Sequence, residues 1–299
     1  MSRMTLDKLV RGRQKTPLRL VLSGVEGVGK STFAAAAPTP IFIAAEDGTS
    51  QLDVVRFPTP ETWTDVMEAI QVLTVEKHPY ETLVLDTIDW AEPLLWAHIC
   101  VRDSKSSIED YGYGKGYVAA LDEWRLLLAA FERLRRAAGM NIILVGHSWI
   151  RNFKNPEGGD FDRYELKLHP RAAGLVREWS DASLFANYET LAVKDDKTKR
   201  VKGVSTGARL LHTVRTAAFD AKNRFNLPDT LPLSWSDFMA AIEKQEPASA
   251  DELIAAIKQN AALVGGEVEK LAIGHLAKVG RDAVKLAALH DRLLAKLAA

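Results

Sequence analysis

The segment Gly24-Val25-Glu26-Gly27-Val28-Gly29-Lys30-Ser31, with Thr32 after it, matches G-x-x-x-x-G-K-[ST] and constrains this chain more than any other stretch. The string carries weight only between a buried strand and a helix. Both are predicted here. Residues 18–23 (LRLVLS) form an apolar run that enters the glycines, and residues 31–37 form a short helix stopped by Pro38 and Pro40. In that setting the glycines let successive backbone N–H groups converge on a β-phosphate. Lys30 brings a point charge to the β- and γ-phosphate oxygens, and the Ser31 hydroxyl ligates Mg²⁺ at the helix N-terminus. The expected ligands are ATP and Mg²⁺.

A loop of this kind needs an acid at the end of a neighbouring buried strand to hold Mg²⁺ through water. Residues 82–85 (TLVL), followed by Asp86, supply it. Hydrolysis also needs a carboxylate near the γ-phosphate. Thr87, not glutamate, follows Asp86, so the expected position moves to another strand end. Residues 41–45 (IFIAA) run into Glu46 and Asp47; Glu46 is the candidate, with Asp47 and Asp89 as rivals. A further strand, residues 141–145 (NIILV), ends in Gly146-His147-Ser148. His147 is a candidate γ-phosphate sensor there, the plainer reading being a satisfied polar group.

Helical spacing at residues 62–75, 90–101 and 117–138 alternates with these apolar strands; Thr62 is a candidate N-cap, and Gly139 closes the long helix. The alternation predicts an α/β fold with a mostly parallel central sheet covered on both faces. From Tyr164 the texture changes. Residues 164–168, 184–193 and 208–215 alternate like strands, 194–199 read as a hairpin tip and 234–244 as a helix. The expected organisation is a basic arm over 1–15, a main domain over 16–245, a linker over 246–250 and a helical region over 251–299. Ser249 with Glu252 reads as a capping box for the first of about three C-terminal helices. Their stripe of Val284, Leu286, Leu289, Leu293, Leu294 and Leu297 fits either a small bundle or a docking module.

Lys and Arg number 39, as do Asp and Glu, so bulk charge does not advertise nucleic-acid binding. The charge is segregated, however: residues 1–19 carry a local +5, residues 46–92 a local −9 and residues 194–224 a local +6. No apolar run approaches the ~20 residues that cross a bilayer. The basic start lacks the apolar stretch of a secretory signal. A single cysteine, Cys100, argues against a disulfide scaffold or cysteine-ligated zinc and for a reducing cytoplasm.

Two long glycine-rich segments hold aromatic and cationic side chains. In residues 110–117 (DYGYGKGY), Tyr111, Tyr113 and Tyr117 suit stacking on bases and Lys115 suits a phosphate. In residues 149–160, Trp149, Arg151, Phe153 and Lys154 offer the same chemistry. Both segments are expected as loops leaving the carboxyl edge of the sheet, where α/β folds bind ligands; a surface lid is the alternative. Lys222 and Arg224 stand two apart, so in an extended segment they face one way and can share an anion.

The P-loop, the Glu after the next strand, Asp86, the two glycine-rich segments, His147 and Lys222-Asn223-Arg224 together resemble the RecA-like recombinase core. More narrowly, Tyr113-Gly114-Lys115-Gly116-Tyr117 and Lys222-Asn223-Arg224 with Leu227-Pro228 resemble the phage-encoded P-loop proteins called phage nucleotide-binding proteins, related to RecA-like single-strand annealing ATPases. The resemblance spans about residues 16–245 and nothing in 251–299. It implies that Lys222 and Arg224 act in trans as fingers on the adjacent subunit's ATP site, joining Lys30, Glu46 and His147 in the catalytic set. It implies that the two segments bind DNA. The function implied is a Mg-ATP-dependent, DNA-stimulated ATPase that promotes annealing or pairing of single strands in phage homologous recombination. Such a protein would self-associate through an ATP-bridged interface, work beside a single-strand-binding protein, and reside in the host bacterial cytoplasm. Two departures stand out. Only about fifteen residues precede the first strand, leaving no N-terminal oligomerisation domain of the bacterial RecA kind, and His147 stands where an amide is common.

Three other functions fit a P-loop. A nucleotide kinase needs an Arg-rich lid and an early substrate-binding Asp-Arg-Tyr, whereas Asp162-Arg163-Tyr164 lies far downstream. An ATP-gated interaction module would use no Glu46 chemistry, and a replicative helicase would unwind DNA.

Overall fold

The structure is a computed structural model and describes Thr5, Leu9 and residues 14–194, 201–245 and 250–297. Most of the basic arm, residues 195–199 of the expected hairpin tip at 194–199, residues 246–249 of the expected linker at 246–250 and with them Ser249 of the expected capping box lie outside the described residues. The chain divides into two units, Met1–Ile242 and Glu243–Ala299.

The first unit is built on one sheet. In chain order its strands are β1 (Arg19–Gly24), β2 (Pro40–Ala44), β3 (Val55–Arg56), β4 (Thr82–Asp86), β5 (Asn141–Phe153), β6 (Phe161–Leu166), β7 (Ala182–Lys194), β8 (Val201–His212), β9 (Lys222–Asn223) and β10 (Thr230–Pro232). The spatial order is β10-β8-β7-β1-β5-β4-β2-β3, with β6 pairing β5 and β9 pairing β7. From β7 to β3 all neighbours on this path are parallel, while β6, β8, β9 and β10 pair antiparallel. The expected mostly parallel α/β architecture is therefore present.

Strand period decides which helices cover which face. Val21, Ile41, Ile43, Leu83, Leu85, Ile142 and Leu144 point to one face. Their immediate neighbours Leu20, Leu22, Phe42, Val84, Ile143 and Val145 point to the other. Both sets are buried, which is why the strands read as continuous apolar runs rather than alternating ones. The first face is covered by α2 (Trp63–Val75), α3 (Ile88–Arg102), α4 (Lys115–Ala138) and α5 (Pro170–Trp179), and the second by α1 (Lys30–Ala35) and α6 (Trp235–Gln245). Each fully buried Leu, Val or Phe contributes roughly 1.5–3 kcal/mol relative to exposure.

Local signals set the helix ends. Thr62 caps α2, its hydroxyl accepting from Asp65 N at 3.2 Å while Asp65 accepts from Thr62 N at 2.8 Å. Gly139 ends α4 in the left-handed region, its N–H returning to Arg135 O. Ser234 Oγ accepts from Asp237 N at 3.4 Å at the start of α6. α5 is a short helix not expected from the apolar spacing, and its clearest local cue is Pro170 at its first position.

In the C-terminal unit, α7 (Ala250–Val264), α8 (Gly266–Val279) and α9 (Ala283–Leu297) enclose Leu253, Ile257, Ala261, Ala272, Leu286 and Leu293. Of the expected leucine stripe, Leu286 and Leu293 are core, whereas Leu294 is exposed.

One buried acid ties α3 to α5. Glu92 is 4% exposed, and its carboxylate oxygens accept from the N–H of His169, the residue preceding α5, at 3.3 and 3.0 Å. Burial pushes this carboxyl up to about 7, with the His169 N–H acting against it. A raised folded pKa makes the contribution to stability full below the ordinary glutamate value and lost as pH rises through about 7. Glu92→Gln removes that titration while keeping an acceptor. Urea unfolding of the variant is expected to differ little from wild type near pH 5 and to show a gain of about 2 kcal/mol near pH 8.

Candidate functional site

The phosphate loop sits where β1 leaves the sheet. Gly24 is required by a close approach, since a Cβ there would stand 2.3 Å from Ala186 O of β7. Gly29, the residue before α1, has φ 105°, a conformation that side-chain-bearing residues rarely adopt. Lys30 is 6% exposed, and its Nζ donates to Gly24 O and Val25 O at 3.2 and 3.0 Å, so the ammonium is held inside the loop. Burial lowers its pKa, opposed by the carboxylates of Asp86, Asp89, Glu46 and Glu26.

The strand next to β1 is not the Asp86 strand. β5 lies between them, with Gly24 beside His147 and Asp86 beside Val145. This interposition carries His147 to the row between the loop and Asp86. β2 lies beyond β4, with Ala44 beside Asp86, and Glu46 follows two residues later. The sequence-expected Lys30, Glu46, Asp86 and His147 thus converge on one edge. Asp89, offered as a rival to Glu46, has a different position: it accepts from His147 N and lies 2.9 Å from His147 Nδ1. The far ring nitrogen, Nε2, then faces Glu46 Oε1 at 3.9 Å.

Charge on this edge is unbalanced. Asp86 is 1% exposed, and neither carboxylate oxygen meets hydrogen-bond geometry with a partner among the described residues. Burial pushes its pKa up, while the nearby Ser31 hydroxyl, Lys30 and His147 pull it down. An orphaned, buried carboxylate facing a hydroxyl and an ammonium fits a hard divalent cation. Ser31 and Asp86 are the residues that would hold Mg²⁺, Asp86 through water. Among the described residues no group of three or more His, Cys, Asp or Glu is arranged to hold a metal, and Mg²⁺ shared with phosphate oxygens does not need one. Glu46 is raised chiefly by burial, with His147 opposing. His147 is raised chiefly by its hydrogen bond to Asp89, against burial. Asp89 itself is lowered, because the bonds from His147 outweigh its burial.

Two loop contacts were not foreseen. Tyr188 of β7 donates its hydroxyl to Gly27 O at 2.9 Å, and the Arg209 guanidinium of β8 stands against Gly29. Arg209, Thr32, Phe33, Ser234 and Trp235 line a cavity of about 280 Å³ beside α1. No sequence signal points to Tyr188 or Arg209, because both arrive through the register of Ala186 against Gly24.

The two glycine-rich segments are not loops of the expected length. Residues 108–111 form a 3₁₀ turn and α4 begins at Lys115, leaving 112–114 as the connection. Tyr111 donates to Ile99 O and Asp103 at 2.9 and 2.7 Å. Tyr117 donates to Glu109 at 2.5 Å and stacks on His169, so only Tyr113 of the three tyrosines is fully exposed. The second segment is corrected further. Trp149 to Phe153 continue β5 past the sheet and pair with β6, leaving a short turn in which Lys154 binds Asp160 at 2.5 Å. Phe153 supports the buried Arg163 guanidinium at 4.0 Å, which fixes the hairpin. Arg163 also pairs with Glu165 at 2.6 Å, so Asp162-Arg163-Tyr164 is a strand of this hairpin.

Lys222 and Arg224 do not grip a common anion in this chain. Lys222 Nζ donates to the carbonyls of Arg177, Glu178 and Ser180 at 2.7, 2.9 and 2.6 Å, closing the C-terminus of α5. Arg224 reaches Asp181 at 3.4 Å with half its side chain exposed.

Comparison with known proteins follows from this geometry. A family model described as an AAA domain matches residues 16–225, more than two thirds of the chain. No curated protein sequence matches the chain significantly. Among solved structures, the RadB recombinase is 11% identical with a TM-score of 0.37, over 70% of this chain and 91% of that one. The flagellar accessory protein FlaH from Methanocaldococcus jannaschii is 12% identical with a TM-score of 0.38, over 77% and 90%. No helix among the described residues is long and apolar enough to cross a membrane. With its phosphate loop, its buried Asp86 and a family match across the sheet that carries them, the chain belongs to the AAA-domain family of P-loop NTPases.

Proposed function

We propose that this protein is a RecA-like, Mg-ATP-dependent ATPase that binds single-stranded DNA and promotes strand annealing or pairing, in the manner expected of phage recombination proteins. The observation that carries the ATPase reading is the carboxyl-edge cluster: Lys30 inside its loop, Asp86 with two unpartnered oxygens, and Glu46 facing an Asp89-held His147. Mg²⁺, bound with ATP, would neutralise charge building on the β- and γ-phosphate oxygens. Backbone N–H groups of residues 24–32 and Lys30 hold the phosphates. Glu46 Oε1 orients the attacking water and accepts its proton, a task suited by a carboxyl raised through burial. His147, with Nδ1 fixed by Asp89, presents Nε2 toward the γ-phosphate and reports its presence along β5.

DNA binding is supported by the exposed Trp149 and Arg151, which follow His147 on β5, and by the exposed Tyr113 of the other glycine-rich segment. Arg224 remains the candidate trans finger of an ATP-bridged interface, with Lys222 setting its strand. For the C-terminal unit a docking role beside a single-strand-binding protein is supported by an apolar hollow of about 360 Å³. Its lining includes Leu271, His275 and Leu289 together with the cationic Lys285 and Arg292, a combination suited to an acidic apolar segment.

Glu46→Gln separates catalysis from binding. ATP affinity is expected to persist while turnover falls about 10²- to 10⁴-fold, measured by phosphate release; turnover retained in the variant would remove Glu46 from the reaction, and no turnover in wild type would leave an ATP-gated module. A second variant tests the sensor pair. Asp89→Asn removes the anion that raises the His147 pKa, so the proton on the ring is lost at lower pH. The alkaline limb of the kcat profile is expected to move toward acid in Asp89→Asn, and an unmoved limb would rule out a protonated His147 in the reaction.

A further inference from the structure

The hairpin and the helix after Asp86 enclose a cavity of about 490 Å³, separate from the phosphate loop and lined by Asp89, Glu92, Trp96, Tyr117, Trp149, Arg151 and other residues. We propose that this cavity receives one unstacked nucleobase of a bound single strand, gripped between its aromatic walls while Arg151 and Lys167 hold the flanking phosphates. The inference rests on the DNA-binding reading above and narrows it from a surface to a pocket.

Four observations converge on it. The volume falls within the range of about 300–1,000 Å³ typical of small-ligand cavities. The wall is aromatic and already ordered: Tyr117 lies flat on His169 at 4.3 Å and 7°, and Trp96 meets Tyr117 edge-on at 5.4 Å. Trp149, 38% exposed, closes the mouth with Arg151 over its ring at 5.1 Å. The rim is cationic, with Arg151 and Lys167 lining the cavity and the charges of Arg171 and Arg151 felt at His169. Aromatic faces beneath phosphate-binding cations are the two elements of single-strand recognition. Glu92, also in the lining, takes the His169 N–H on both oxygens, with the Trp124 side chain as a further donor, and its four acceptor sites leave capacity for a base edge.

Position adds a consequence for coupling. His147, Trp149 and Arg151 alternate along β5 and so share one strand face. Asp89 is common to the cavity wall and to the His147 hydrogen bonds. A base seated in the cavity therefore lies against the residues that position the γ-phosphate sensor.

The test compares binding of a mixed-sequence single strand with binding of an abasic strand of equal length, by fluorescence anisotropy on the full chain. Wild type is expected to prefer the base-bearing strand, and Trp149→Ala to close that gap by a loss of about five- to hundredfold on the base-bearing strand. Lys167→Ala is expected to weaken both strands alike and to flatten the salt dependence by about one phosphate contact. Thermal melting verifies that each variant is folded. A preference for bases undiminished in folded Trp149→Ala would overturn the pocket and leave the single-strand reading standing. Failure of wild type to bind either strand would overturn both.

Discussion

Everything at the active edge depends on one strand being out of sequence order. β5 inserts between β1 and β4, and the parallel register sets Gly24 beside His147 and Asp86 beside Val145. Were β4 next to β1, the loop and Asp86 would be direct neighbours and no side chain would stand between them. With β5 interposed, a histidine occupies that gap, steadied from behind by Asp89 and facing Glu46 in front. The register is fixed by the two-sided core: shifting β5 by one residue would turn Ile142 and Leu144 from the α3–α4 face to the α1 face and strand both sets.

The same strand gives the site its reach. β5 runs thirteen residues, long enough to leave the sheet and form a hairpin with β6. His147 and the exposed Trp149 and Arg151 therefore stand on one continuous strand, which gives the proposed nucleotide and DNA sites a short physical path between them.

Much of the fold was legible because the apolar runs are strong. Residues 18–23, 41–45, 82–85 and 141–145 each became a buried parallel strand, and Thr62 and Gly139 marked helix ends by their chemistry. The P-loop and Asp86 were legible for the same reason: both sit at strand ends that hydrophobicity reveals. Where the reading failed, tertiary pairing overrode composition. The glycines and aromatics of 149–160 look like loop material, yet Trp149 to Phe153 pair with β6, and Phe153 holds Arg163 in the hairpin. Residues 110–117 look flexible, yet Tyr111 and Tyr117 are fastened by Asp103, Glu109 and His169. Lys222 looked free, and its partners are carbonyls of a helix the sequence did not announce. Tyr188 and Arg209 were invisible, since nothing in their neighbourhoods encodes the register that brings them to the loop.

β5 runs from the edge beside the P-loop to the face proposed to bind DNA, and steady-state ATP hydrolysis with and without single-stranded DNA tests that link most directly. Wild type is expected to hydrolyse ATP faster when single strands are added, and Lys30→Ala to show neither basal nor stimulated turnover, because its phosphate grip is gone. Turnover in wild type that is indifferent to single strands would contradict the link between the two ends of β5.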